Sequence, residues 1–168
     1  GGVNHRMGLY DQVLIKDNHL DIIKNKLFYD VPSHVSIIEK AVSVVRQKIK
    51  KGVLIEVETR TLGEVTDALK AGVDIILFDN MDIQQLQDAV MLAKGWKYGE
   101  GTHRPLTEAS GNITLENVYR VAQTGVDRIS VGAISATCFP AANAWHAAMA
   151  ATTVLPAPTS PCTKRNIG

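Results

Sequence analysis

Two carboxylates stand where catalysis on an α/β scaffold needs them. Glu58 closes the apolar run Val53-Leu54-Ile55-Glu56-Val57-Glu58, and Asp79 closes the next one, Asp74-Ile75-Ile76-Leu77-Phe78-Asp79. Reactive groups of barrel enzymes sit at the C-terminal ends of strands. Strand alternation puts Glu56 and Glu58 on one face and Val57 on the other. Two readings are open for such a pair: strand-end charges touching water, or hard oxygen ligands for Mg²⁺ shared with a substrate phosphate.

Cations come next. Lys16 and Asp17 end the short apolar run Leu14-Ile15, and His5-Arg6 precede Lys16 by ten or eleven residues. Arginine offers a planar fork to a carboxylate and lysine a point charge, although ordinary surface cations look the same in a sequence. A third feature is Glu108-Ala109-Ser110-Gly111-Asn112 ahead of Thr114, where a helix is expected to be capped. A Ser-Gly turn entering a helix can aim backbone N–H groups at an anion. Val131-Gly132-Ala133 at the next strand end is a candidate second backbone contact, and the alternative is two plain glycine turns. The five histidines and two cysteines show no zinc-ligand spacing.

These groups need a frame. Val53–Glu58, Asp74–Asp79, Leu106–Ala109 and Arg128–Val131 read as strands, nearly continuous in apolar character as parallel strands covered by helices must be. Between them run helical stripes. Val35, Ile38, Val42, Val45 and Ile49 make one, and Ile83, Leu86, Ala89, Val90 and Ala93 another. Thr61-x-x-Glu64 and Asp82-x-x-Gln85 are helix-start signals. Thr61-Leu62-x-x-Val65 running to Gly72-Val73-Asp74 is echoed by Thr114-Leu115-x-x-Val118 running to Gly125-Val126-Asp127, each a helix feeding a strand through a glycine cap. The alternation predicts an α/β fold with a parallel sheet, doubly wound or curled into a barrel. From Ser135 the composition turns to Ala, Thr and Pro, and little regular structure is expected in the last dozen residues.

Bulk composition narrows the class. The chain has 168 residues, 45% hydrophobic and 21% charged, with a net charge of +1. That suits one globular domain and gives no field for nucleic acid or an anionic membrane. No run approaches the ~18 apolar residues that span a bilayer. The opening residues have neither an initiator Met nor a signal peptide's apolar stretch, so the expectation is a cytoplasmic protein and a piece of something longer.

Six blocks in order resemble the quinolinate phosphoribosyltransferase family, the carboxylating nicotinate-nucleotide pyrophosphorylases. They are Asn-His-Arg-Met-Gly-Leu-Tyr-Asp at 4–11, Leu-Ile-Lys-Asp-Asn-His at 14–19, Ile-Glu-Val-Glu-Thr at 55–59, Leu-Phe-Asp-Asn-Met at 77–81, Glu-Ala-Ser-Gly-Asn-Ile-Thr at 108–114, and Gly-Val-Asp-x-Ile-Ser-Val-Gly-Ala at 125–133. The resemblance implies an open, partial TIM-barrel-like α/β barrel of parallel strands over residues 1–134, followed by a divergent tail, 135–168. It implies transfer from phosphoribosyl pyrophosphate to quinolinate with decarboxylation, giving nicotinate mononucleotide, pyrophosphate and CO₂. By the same resemblance, His5, Arg6 and Lys16 line a quinolinate carboxylate pocket, and Glu58 and Asp79 stand near the ribose and Mg²⁺. Ser110, Gly111 and Gly132 lie near the 5-phosphate, with Asn112 in the same turn. The catalytic set is Lys16, Glu58 and Asp79, and the complete enzyme is expected to be a homodimer or larger homo-oligomer. Where the family usually continues Thr-His-Ser and a final helix, this chain reads Ser135-Ala136-Thr137-Cys138, a break of the kind a reading-frame change produces. The family also has upstream segments bearing further substrate-binding arginines, so the chain alone is expected to be nearly inactive. A nicotinate-type phosphoribosyltransferase and a non-catalytic remnant that only associates with an intact homologue are the competing readings.

Overall fold

The computed structural model describes residues 3–4, 12–26, 35–99, 103–131 and 153–156. Five parallel strands carry the architecture: β2 (Gln12–Ile15), β3 (Leu54–Thr59), β4 (Ile75–Asp79), β5 (Leu106–Ser110) and β6 (Arg128–Val131). They lie side by side in chain order, joined through α1 (Asp17–Lys26), α2 (Ile37–Lys48), α3 (Leu62–Ala71), α4 (Ile83–Gly95) and α5 (Val118–Gln123). Two short strands, β1 (Val3–Asn4) and β7 (Thr153–Pro156), extend the sheet antiparallel beyond β6 in the order β1-β7-β6. Among the described residues the sheet stays open, an incomplete barrel wall. Thr153–Pro156, which pairs with β6, lies just ahead of the last dozen residues in which little regular structure is expected. No helix among the described residues is long and apolar enough to cross a membrane.

One face of the wall is apolar and the other is not. Ile15, Ile55, Val57, Ile76, Phe78, Ala109, Ile129 and Val131 point to the helices and pack on Ile38, Val42, Val65, Ala68, Leu86, Val90 and Val121. Residues of opposite parity hold Gln12, Glu56, Glu58, Asp79, Glu108, Ser110 and Ser130. Glu56 and Glu108 are fully buried there. The Gln12 amide donates to Glu56 at 2.6 Å, and the Ser130 hydroxyl donates to Glu108. Buried polar groups persist only when paired this way.

The helix starts follow local chemistry, with differences from the sequence pattern. Asp82 and Gln85 form a reciprocal capping box at α4. A second box, Ser36 with Glu39, opens α2, so Val35 of the expected stripe lies outside the helix. At α3 the Thr61 hydroxyl accepts from the Glu64 N–H, but the Glu64 carboxylate reaches one residue further back, to the Arg60 N–H at 2.6 Å. The helix expected near Thr114 starts only at Val118, with Asn117 at its N-cap. Asn117 instead turns its side chain to the Thr114 N–H and the Asn112 carbonyl, which holds 112–117 as a turn.

The internal echo has a structural counterpart. Asp74, opening β4, accepts from the Ile55 N–H and is held by Arg46. Asp127, opening β6, accepts from the Thr107 N–H and hydroxyl and is gripped by both Arg104 nitrogens at 2.8 Å. Each aspartate ties the start of its strand to the neighbouring one, and Gly72 and Gly125 supply the left-handed residue ahead of it.

Candidate active site

Parallel strands in register bring their C-terminal ends to one edge, and the predicted groups meet there. Lys16 follows β2, Glu58 and Arg60 stand at the end of β3, Asp79 ends β4, and Ser110, paired with Asp79 across the ladder, ends β5. Lys16 Nζ lies 3.6 Å from Glu58 Oε2. His19 Nδ1 accepts from the Lys16 N–H at 3.1 Å, fixing the turn between β2 and α1.

Arg60 is the residue the sequence reading missed. Its guanidinium lies 2.8 Å from Asp17, 3.3 Å from Glu58 and 3.2 Å from Asp79. Two cations thus face three carboxylates, and Arg60 bridges the acid pair itself. The available signal was its spacing, since Arg60 shares the strand parity of Glu58. Burial pushes the Glu58 carboxyl above the ordinary glutamate value. Lys16 and Arg60 pull it back, and the Asp79 charge adds to the rise.

The Ser110-Gly111-Asn112 turn lies beside this cluster. Gly111 has φ +87° and Asn112 +51°, and across from them Asn80, directly after Asp79, has φ +55°. The Asn80 N–H donates to the Ser110 carbonyl at 2.9 Å. Its side-chain amide donates to Asp79 Oδ1 and its Oδ1 accepts from Asn112, both at 2.9 Å. A Cβ on Gly111 would stand 2.4 Å from Asn80 Oδ1, so any other residue must push the Asn80 side chain aside as well as adopt the left-handed backbone. A pocket of about 330 Å³ opens between the two turns, lined among others by Asn80, Ser110, Gly111, Asn117 and Arg120. Arg120, like Arg60, was not singled out from the sequence. Because α5 begins seven residues past Gly111 and is only six residues long, the turn is not the helix entry the sequence suggested.

The structure therefore gathers Lys16, Glu58, Asp79, Ser110, Gly111 and Asn112. His5, Arg6 and Gly132 lie outside the described residues. Among the described residues no group of three or more His, Cys, Asp or Glu side chains is arranged to hold a metal ion unaided.

Comparison with known proteins gives one answer. The family model for the quinolinate phosphoribosyl transferase C-terminal domain matches residues 1–140. A mitochondrial decarboxylating quinolinate phosphoribosyltransferase of Nicotiana tabacum is 39% identical over 153 residues, covering 80% of this chain and 38% of the relative. A chloroplastic carboxylating nicotinate-nucleotide pyrophosphorylase of Arabidopsis thaliana is 40% identical with the same coverage, 80% and 38%. The solved nicotinate-nucleotide pyrophosphorylase of Francisella tularensis superposes with a TM-score of 0.60 at 35% identity, over 77% of this chain and 39% of that one. Its Ehrlichia chaffeensis counterpart gives 0.61 at 33% identity, over 77% and 40%. The chain thus spans about two fifths of the length of the relatives it matches. It belongs to the quinolinate phosphoribosyltransferase family and corresponds to that family's C-terminal, barrel-forming domain.

Proposed function

We propose that this chain supplies the ribose and phosphate half, and one wall of the pyridine half, of a site that joins quinolinate to phosphoribosyl pyrophosphate. The carrying observation is the convergence of Lys16, Glu58, Asp79 and the Ser110-Gly111-Asn112 turn on one strand edge. In the reaction the pyridine nitrogen attacks ribose C1. The C1–O bond breaks, and pyrophosphate leaves with the electron pair. Positive charge that develops on the ribose is stabilised by carboxylates fixed beside it, a role for Glu58 and Asp79. The C2 carboxylate then leaves as CO₂, its bonding electrons drawn toward the pyridinium nitrogen until C2 takes a proton.

Lys16 offers a cation to a quinolinate carboxylate, with His5 and Arg6 assigned to the same pocket. The Ser110-Gly111-Asn112 turn and Gly132 are assigned to the 5-phosphate. Mg²⁺ suits hard oxygens and is commonly held by one or two carboxylates together with substrate phosphates. Glu58 and Asp79 fit that donor set, provided Arg60 yields its place between them. Bound there, Mg²⁺ would supply neutralisation of the departing pyrophosphate. The setting this reading calls for is a cytoplasmic homo-oligomer. Gel filtration tests the assembly, and fractionation tests the compartment against the organelles named for the plant relatives.

The deciding experiment follows nicotinate mononucleotide and CO₂ from quinolinate, phosphoribosyl pyrophosphate and Mg²⁺. It uses the chain alone and the chain joined behind the upstream part of the Francisella relative. The joined protein is expected to turn over and the chain alone to be nearly inactive. Turnover near ~10 s⁻¹ by the chain alone would contradict the need for upstream residues. Lys16→Ala should weaken quinolinate binding by about 2–5 kcal/mol and phosphoribosyl pyrophosphate binding far less. Equal losses by calorimetry would overturn the pocket assignment.

A further inference from the structure

Asn80 has no part in the chemistry above, yet it stands between its two halves. Its side chain uses both ends. Nδ2 donates to Asp79 Oδ1 at 2.9 Å, and Oδ1 accepts from Asn112 Nδ2 at 2.9 Å. Asn112 is itself anchored, because its carbonyl accepts from Asn117 Nδ2 at 2.9 Å. The result is an unbroken amide chain from Asn117 through the Ser110-Gly111-Asn112 turn to the acid. Few residue types could replace Asn80. Its φ of +55° is left-handed, a region in which Asn and Gly are the common occupants. Of these only Asn carries both a donor and an acceptor.

Both carboxylate oxygens of Asp79 are engaged. Oδ1 receives the Asn80 amide and Oδ2 receives Arg60 Nε at 3.2 Å. Arg60 is half exposed and also holds Asp17 and Glu58, so it cannot follow Asp79 independently. Asn80 is tied to the turn a second time by its backbone, through the Ser110 carbonyl. Gly111 leaves no slack on that side, since a Cβ there would collide with the Asn80 side chain.

We propose that Asn80 is a positioning residue that couples occupancy of the Ser110-Gly111-Asn112 turn by a phosphate to the orientation of the Asp79 carboxylate. This rests on the phosphoribosyl reading above. A ligand with a ribose and a 5-phosphate would span both ends of the relay, whereas inorganic phosphate would meet only the turn. The relay favours the first over the second because only the first meets the carboxylate at its far end.

The test uses the full chain and calorimetric titration with ribose 5-phosphate and inorganic phosphate. Asn80→Gly keeps the left-handed backbone and the bond to Ser110 but removes the relay. It should weaken ribose 5-phosphate by about tenfold, the scale of one lost hydrogen bond to a charged group. Inorganic phosphate should change by no more than about twofold, because the turn keeps its ties through Asn117 and Ser110. In an Asp79→Asn background the same substitution should cost ribose 5-phosphate less than about twofold. A second, ligand-free measurement follows the Asp79 carboxyl carbon by NMR in Asn112→Gly. That residue reaches Asp79 through the Asn80 amide, so its loss should shift the resonance. Equal weakening of both ligands, or the full loss persisting beside Asp79→Asn, would reduce Asn80 to a loop brace and overturn the proposal. So would an unmoved Asp79 resonance. If the unsubstituted chain binds neither ligand, the phosphoribosyl reading fails and the coupling fails with it. If it binds ribose 5-phosphate and Asn80→Gly binds equally well, only the coupling fails.

Discussion

Gly111→Ala should be among the costlier single-methyl additions in this chain. Two costs add. At φ +87° a side chain enters a region that L-residues occupy at about 1–2 kcal/mol. The new Cβ would also stand 2.4 Å from Asn80 Oδ1, 2.6 Å from its Cγ and 2.9 Å from its Nδ2. The Asn80 side chain must swing away, giving up its bonds to Asp79 and Asn112. Each is worth about 0.5–1.5 kcal/mol net. The sum is about 2–5 kcal/mol, read as a lower urea midpoint at unchanged slope. Gly72→Ala is the matched control, because Gly72 has φ +66° with nothing within 4 Å of a Cβ and so carries the backbone cost alone. The difference of about 1–3 kcal/mol between the two variants isolates the Asn80 contact. It should vanish when Gly111→Ala is made in an Asn80→Gly background. Equal costs for Gly111→Ala and Gly72→Ala would show that Asn80 moves aside freely, and the argument for a held relay would be wrong.

Asp127 gives a pH signature. Burial pushes its carboxyl up, but the Arg104 fork and the Thr107 N–H and hydroxyl outweigh this and hold it below the ordinary aspartate value near 3.8. A carboxylate depressed on folding stabilises fully above its unfolded value, and that contribution is lost as pH falls through the lower folded value. Urea unfolding at stepped acid pH should therefore show a shallower loss for Asp127→Asn than for the unsubstituted chain, and identical slopes would refute the assignment. Lys16→Met and Arg60→Gln should each raise the Glu58 carboxyl further, because Lys16 and Arg60 both oppose the rise. A carboxyl-carbon NMR titration reads both, and a Glu58 carboxyl that rises in neither variant would contradict the cluster geometry. In a catalytically competent protein, Glu58→Gln and Asp79→Asn should slow single turnover by roughly a hundredfold while leaving ground-state binding closer to normal. Wild-type single-turnover rates would remove the electrostatic role from the acid pair.

The parallel α/β alternation, helices α2, α3 and α4, and the strand-end positions of Lys16, Glu58 and Asp79 were legible in the sequence, whereas its alternation left the strand order open between a doubly wound sheet and a barrel wall. The legible features depend on periods of two and 3.6 residues and on caps that act within a few positions. The aspartate opening β6 repeats the one opening β4 because the same backbone junction recurs, which is why the echo was visible. Local rules erred where a competing partner was near in space. Thr114 looked like a cap, yet Asn117 turns back on Asn112 and delays the helix to Val118. Helix α1 has no strong apolar stripe to announce it, and Arg60 looked like any exposed cation. What makes Arg60 a hub is Asp17, forty-three residues earlier, and Asp79, nineteen later. Their carboxylates converge only because parallel strands in register end at one edge. The Asn80–Asn112 contact has the same origin. A left-handed residue on each of two adjacent loops is stable only when the other loop is present, so no window of sequence contains the reason for either.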